Sequence, residues 1–372
     1  MIISRYLLKE VLASLLAVTI ILLLIFLSNQ LVRYLSYAAS GKIATALLFR
    51  LMGFEIPCLL ALLLPLGLYL GIILAFGRLY ADSEMSVMQA CGFGQGRVVG
   101  IIFLLAMAIA GVVLTLMLLV NPVINLEKNK GISQNTIMDT LRPGRFKVLG
   151  DGKRVVYVEK ISRDRQQAEN LFIAEQPKTS PTNDNGAWVV VSAAHGYQEK
   201  LPPSKENFIV SRAGYRYAGT PGENSYSVIQ FAKYAVRIPS PVITSTHAEA
   251  ETIPTRKLWQ NRDDPVQAAE LQWRLSIPLS ALVLMLLAIP LSHAKPRQSR
   301  YTNLLPAVLL YIVYVNLLLV ARNWVEIKMV PIALGMWWVH LTMLALAAAL
   351  FALQKRYRLR SWSLFNLRRA PA

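Results

Sequence analysis

Six long apolar runs constrain this chain more than anything else in it, because about twenty apolar residues in a row suffice to cross the hydrocarbon of a bilayer. They occupy 11–31, 51–76, 98–120, 275–291, 304–321 and 331–353. A short basic stretch with Arg5 and Lys9 precedes the first, and no small-residue cleavage pattern follows it. Asn29, Gln30 and Arg33 come directly after the run, so it reads as a retained first helix rather than a signal peptide. Pro57 and Pro65 are expected to bend the second span, and Asn121 and Pro122 to end the third.

Between 121 and 270 the pattern changes. Short β-branched or aromatic segments at 153–161, 170–175, 188–193, 207–211 and 225–238 alternate with turn-forming clusters such as Asn183-Asp184-Asn185-Gly186, Pro202-Pro203 and Thr220-Pro221-Gly222. Several strands spaced in this way predict an antiparallel sandwich or an open jelly-roll, with 239–254 as an extended linker back to the membrane. The fold class is thus an α-helical membrane protein with six transmembrane helices and an all-β, jelly-roll-like domain inserted between helices three and four. Its divisions are 1–120, 121–270, 271–354 and a basic tail at 355–372.

The formal charge of +18 would suggest nucleic acid if it were spread evenly. It is concentrated beside the apolar runs, while 121–270 is near balance, so the excess serves topology and anionic lipid, and nucleic acid is not implied. With 55% hydrophobic and 16% charged residues, the composition is that of a membrane protein. Placing the N-terminus in the cytoplasm puts Arg5, Lys9, Arg78, Arg97, Lys295, Arg297, Arg300 and the basic tail on the inner side. The β domain then lies outside the cytoplasm, and both termini lie inside. Cys58 and Cys91 are the two cysteines, too few for a disulfide framework in the β domain.

The stretch 77–96, GRLYADSEMSVMQACGFGQG, is a polar island between the second and third spans. Asp82 and Ser83 offer N-cap chemistry, Met85, Met88 and Cys91 recur every three residues, and Gly92, Gly94 and Gly96 mark an exit. This predicts a short amphipathic helix near 82–91, either docking into a groove on a soluble partner or lying on the bilayer. Signatures of catalysis are missing: there is no phosphate loop, no HExxH, no cysteine pair at metal spacing, and His195, His247, His293 and His340 are scattered. No catalytic or metal-binding residue is expected. Glu55, in the first turn of the second span, can reach the interface. Arg33 beyond span one and Arg322 beyond span five sit where basic residues are normally thinned out. They read either as contacts to a phosphorylated lipid or as snorkelling residues, with Glu326 a partner for Arg322.

Several separated motifs carry a resemblance: MIISRYLLKE at the start, LLLPLGLYLGIILAFGRLYADSEMSVMQACG at 62–92, PGRF at 143–146, GYRYAGTPG at 214–222, LQWRLSIPLS at 271–280 and PLSHAKPRQSR at 290–300. Together they resemble the LptF/LptG family of lipopolysaccharide export permeases, the opening residues being of the F type. The resemblance implies a half-permease that pairs with an LptG-like permease on an LptB-like ATPase dimer. Such a complex extracts lipopolysaccharide from the inner membrane and passes it to a periplasmic bridge of LptC and LptA-like proteins. ATP and magnesium would be held by the ATPase, with no cofactor on this chain. In the family the helix between spans two and three couples to the ATPase, which assigns Asp82, Glu84, Met85 and Met88 to coupling. Spans one and five line the lipid entry, which assigns Arg33 and Arg322 to the substrate's phosphates, while a further basic family position is Gln30 here. The β-jelly-roll would take the acyl chains and dock edge to edge with the bridge. A reading from another class is a membrane-anchored periplasmic assembly or signalling scaffold that moves no lipid and needs no ATPase.

Overall fold

The structure, a computed structural model, describes residues 2–39, 47–134, 141, 143–149, 154–162, 167–176, 188–201, 206–220, 222, 224–237, 250–293 and 303–367. Its helices are α1 (Ile2–Ala39), α2 (Leu48–Ala81), α3 (Glu84–Ala90), α4 (Gln95–Thr115), α5 (Asn121–Gln134), α6 (Thr255–Gln260), α7 (Pro265–Leu291), α8 (Leu304–Glu326) and α9 (Trp337–Leu367). A π-helical turn, Leu116–Val120, joins α4 to α5. The strands are β1 (Lys147–Leu149), β2 (Arg154–Ile161), β3 (Gln167–Glu175), β4 (Trp188–Leu201), β5 (Glu206–Gly219) and β6 (Tyr226–Arg237). The chain divides into a helical unit, 1–30 with 52–127 and 246–372, and a second unit, 31–51 with 128–245, that carries the sheet.

Among the described residues, six helices are long and apolar enough to span a membrane. In α2 and α7, 67% of the most apolar window is buried, against 17% in α1 and 22% in α8. The inner pair therefore supplies the packing, and the outer helices keep broad apolar faces for lipid or partners. Small residues let α1 approach α2 closely, the usual device where lipid removes the hydrophobic drive for helix association. A side chain at Gly71 would place its Cβ 2.8 Å from the backbone nitrogen of Leu15, and one at Gly67 would run into the hydroxyl of Thr19.

Three helix boundaries differ from expectation. Asn121 and Pro122 do not end the third span: α4 runs through the π turn into α5. Pro122 has no N–H for the carbonyl four residues back, that of Leu118, and the wider turn together with a hydroxyl from Thr255, 2.7 Å away, resolves the conflict. The last spanning helix starts at Trp337 rather than at 331, because 327–336 forms turns with Lys328 and Gly335 at positive φ. Gln272 of α7 braces that segment, donating to the carbonyl of Ile332 at 2.6 Å and accepting from the N–H of Met336 at 3.1 Å. Because α2 begins at Leu48, Glu55 lies beyond its first turn, and it is buried. Most of the 239–254 linker, the Asn183–Gly186 and Pro202-Pro203 turns, and Lys295, Arg297 and Arg300 lie outside the described residues.

The six strands form one antiparallel sheet in sequence order. Along one line across it, Glu159, Asn170, Ala194, Ala213 and Ala232 make no ladder pair although the register on either side is unchanged. Asn170 and Ala213 have positive φ at this line, and the inward positions change parity there: along β3, Ala168 is buried before it and Leu171 and Ile173 after it. Residues from both sides, including Val156, Ile173 and Val191 on one and Ala168, Ile209 and Val236 on the other, share one core. The expected jelly-roll-like β domain therefore takes the form, among the described residues, of a single bent meander. Gly71→Val should overpack the α1–α2 seam at a cost of about 1–3 kcal/mol and lower the thermal unfolding temperature. Gly100→Val, where space is open, should not, and equal shifts for the two variants would contradict this packing.

Candidate functional site

The polar island folds as α3, but its capping differs from the sequence reading. Two residues separate α2 from α3, so Ser83 has to reverse the chain at φ 62, and its hydroxyl makes no cap bond. The exit is as expected. Gly92, at φ 86, follows the C-cap Cys91, with the N–H of Phe93 bonded to Met88 O at 3.0 Å and that of Gly92 to Gln89 O at 3.1 Å, a Schellman closure. Met85 is buried in the transmembrane core, and Met88 and Phe93 pack against it. The predicted docking stripe is thus partly turned inward. Asp82, Ser86, Val87, Ala90 and Cys91 form the outer surface.

Glu84 is tied to the first helix. The Tyr6 hydroxyl donates to its Oε2 at 2.7 Å, Arg78 donates to the same hydroxyl at 3.4 Å, and Arg78 pairs with Glu10 at 3.0 Å. These groups are largely solvated, so each contact is worth about 1 kcal/mol or less. Their value is positional: one hydrogen-bonded chain joins α1, the end of α2 and the start of α3.

At the other end of the helical unit the ionic groups are buried. Arg274 is 2% exposed and Glu270 3%. Arg274 donates through Nε to Glu270 Oε1 at 2.7 Å, through Nη1 to Ile253 O and Thr255 Oγ1, both at 3.0 Å, and through Nη2 to Ala250 O at 3.4 Å and Glu251 O at 3.1 Å. All five of its N–H groups are used. Arg322 donates through Nη2 to Glu270 Oε2 at 2.9 Å and through Nε to Glu326 at 3.1 Å, with its guanidinium 5.2 Å from the Trp273 ring centroid. Arg322 is therefore matched by carboxylates, Glu326 among them. Arg33 is exposed on α1 within the sheet-bearing unit. In the same helical unit, Tyr314 and His340 meet between α8 and α9 with Oη and Nδ1 2.7 Å apart.

On the sheet, the register sets Tyr157, Phe172, Ser192 and Tyr215 in one cross-strand row. Phe146 covers it, its ring 4.8 Å from that of Tyr157, and the row lines an open cleft of about 520 Å³. Beside Phe146, burial lowers the Lys147 ammonium to about 8, so it stays a cation at neutral pH.

Two surfaces thus recur: a solvated helix at one end of a membrane-spanning unit and an apolar cleft on a β domain. The family described as lipopolysaccharide export system permease LptF/LptG matches residues 5–353. The chain belongs to this family. The lipopolysaccharide export system permease proteins LptF of Escherichia coli K12, of E. coli O157:H7 and of Shigella flexneri are each 32% identical to it over 355 residues, covering 94% of this chain and 94% of theirs. Membership of the LptF/LptG permeases and six apolar helices make it a multi-pass inner-membrane protein. Tyr6, Glu10, Thr255, Glu270, Gln272 and Arg274 were not singled out in the sequence. The signal for Glu270 and Arg274 was there, an opposite-charge pair four residues apart leading into an apolar run.

Proposed function

We propose that the chain is a permease subunit of an ATP-driven exporter that lifts lipopolysaccharide out of the inner membrane and hands it to a periplasmic bridge. The observation that carries this reading is the family match across residues 5–353, on a chain with six spans and an inserted β domain. In this reading both termini and α3 are cytoplasmic and the β domain is periplasmic, with 1–120 and 271–354 as the membrane portions, 121–270 as the β domain with its linkers, and 355–372 as a cytoplasmic tail. An LptG-like permease completes the transmembrane path. An LptB-like ATPase dimer holds ATP and magnesium and does the hydrolysis, and LptC and LptA-like proteins receive the lipid.

Each part of the chain has a physical task in that cycle. The ATPase docks on the solvated side of α3, with Asp82 and Glu84 giving orientation and Met88 a half-buried apolar contact. Met85, seated in the core, carries the movement of α3 into the bundle, and the Tyr6 hydroxyl on Glu84 carries it to α1. Leu16, Ile20, Leu24 and Ile25 on α1, and Leu309, Ile312 and Val313 on α8, leave apolar faces exposed, as a lateral entry for acyl chains requires. Arg33 and Arg322 address the phosphates, at about 1 kcal/mol for each basic residue near an anionic surface. The aromatic cleft over Tyr157 and Phe172 is an apolar surface for the emerging acyl chains.

Glu84→Ala should leave the chain in the membrane and weaken its copurification with the ATPase. Unchanged copurification together with unchanged ATP-coupled transport would remove Glu84 from the interface. Arg33→Glu should lower photocrosslinking of lipopolysaccharide to α1 by charge reversal, and a yield equal to that of the parent protein would count against a phosphate contact there.

A further inference from the structure

The two buried arginines share Glu270 but are held differently. Arg274 is saturated, with every N–H on an acceptor inside the helical unit. It fixes the segment 250–255 to α7, and Thr255 extends the connection to Leu118 in the π turn. Arg322 uses Nε and Nη2 for its carboxylates, and its Nη1 is bonded to neither. Its side chain keeps 11% exposure, against 3% for that of Arg274. Two guanidinium and two carboxylate groups make the cluster neutral. If Arg322 leaves Glu270, Glu270 still has Arg274, and Glu326, four residues on in the same helix, moves with Arg322, so neither carboxylate is stranded. If Arg274 leaves, its backbone acceptors lose their donors, a far costlier event.

We propose that Arg322–Glu270 is a releasable latch between α8 and α7, opened when the phosphate of an anionic lipid headgroup takes the Arg322 guanidinium from Glu270, while Arg274 remains as the fixed anchor. Phosphate oxygens match the guanidinium fork as a carboxylate does, so one partner can replace the other without leaving the cation bare. The free Nη1 edge is where the incoming anion first binds, and the Trp273 ring holds the guanidinium plane during the exchange. An empty entry is thereby kept closed by an internal counter-ion, and the headgroup itself supplies the differential interaction that frees α8. The latch rests on the reading of α8 as an entry helix for a phosphorylated lipid.

The test is the distance between spin labels at Asp263→Cys, just before α7, and Asn323→Cys, on the exposed side of α8, in the full-length chain with Cys58 and Cys91 replaced by Ser. The protein is measured in nanodiscs of phosphatidylcholine alone, with added phosphatidylglycerol, and with added lipopolysaccharide, intact or dephosphorylated. A second, longer distance population is expected with an anionic lipid whose phosphate is not neutralised by its own cation, and absent with zwitterionic phosphatidylcholine or dephosphorylated lipopolysaccharide. Glu270→Gln and Arg322→Gln should each show that population in phosphatidylcholine alone, and either variant suffices should the other fail to fold. Distances in both variants identical to the parent's, or no response of the parent to either phosphatidylglycerol or intact lipopolysaccharide, would overturn the latch. A response to phosphatidylglycerol but not to lipopolysaccharide would keep the latch and sink the export reading instead.

Discussion

A buried guanidinium has to be completely satisfied or it costs several kcal/mol, and in this chain Arg274 meets that condition by gathering carbonyls from the segment that returns to the membrane. The helical unit is closed around that bond set. Pro122 leaves the Leu118 carbonyl without its helical donor, Thr255 supplies one, and Thr255 is itself positioned by Arg274. Through this short series, the third span, the re-entering chain and α7 are joined where an irregular backbone would otherwise be exposed to lipid. Gln272, two residues before Arg274, does the same for the turn segment ahead of α9. Non-helical backbone is tolerated at membrane depth when protein groups satisfy it, and α7 carries both of the side chains that do so.

The opposite end is built on different physics. Its ion pair, Arg78–Glu10, is partly exposed and weak, and its firm attachment is apolar, Met85 in the core with Met88 and Phe93 packed against it. In the proposed cycle, that contrast suits a part that follows a soluble motor while staying attached to the bundle. The inner helices α2 and α7 lie between the two ends and are the natural lever, while α1 and α8 keep apolar faces for lipid. In the proposed cycle the solvated end receives work, and the buried cluster decides when α8 can move.

Much of this was legible in the sequence, for reasons that can be named. The spans declare themselves by length and hydropathy, and the existence of the β domain by its β-branched segments and turn clusters. The reach of β4 and β5 was hidden, because SAAHGYQEKL and SRAGYRYAG carry small and charged residues of low strand propensity, and pairing with neighbouring strands overrides that preference. The bend across the sheet was invisible for a related reason: it depends on Asn170 and Ala213 adopting positive φ in register with each other, and an alanine gives no hint of that. At the island, the methionine spacing announced a helix but not which face the core would claim, so Met85 was assigned outward and lies inward. Arg322 was singled out by its position beyond a span, and Glu326 was named as its alternative partner. The charge pair with Arg274 makes Glu270 visible, but its contact with Arg322, across 52 residues, leaves no local signature.

The most direct measurement is release of lipopolysaccharide from proteoliposomes to a soluble periplasmic acceptor, with this chain, an LptG-like permease and an LptB-like ATPase reconstituted together. The account predicts release that requires both ATP hydrolysis and this chain. Release that proceeds equally without the chain, or a chain that never assembles with an ATPase, would contradict it.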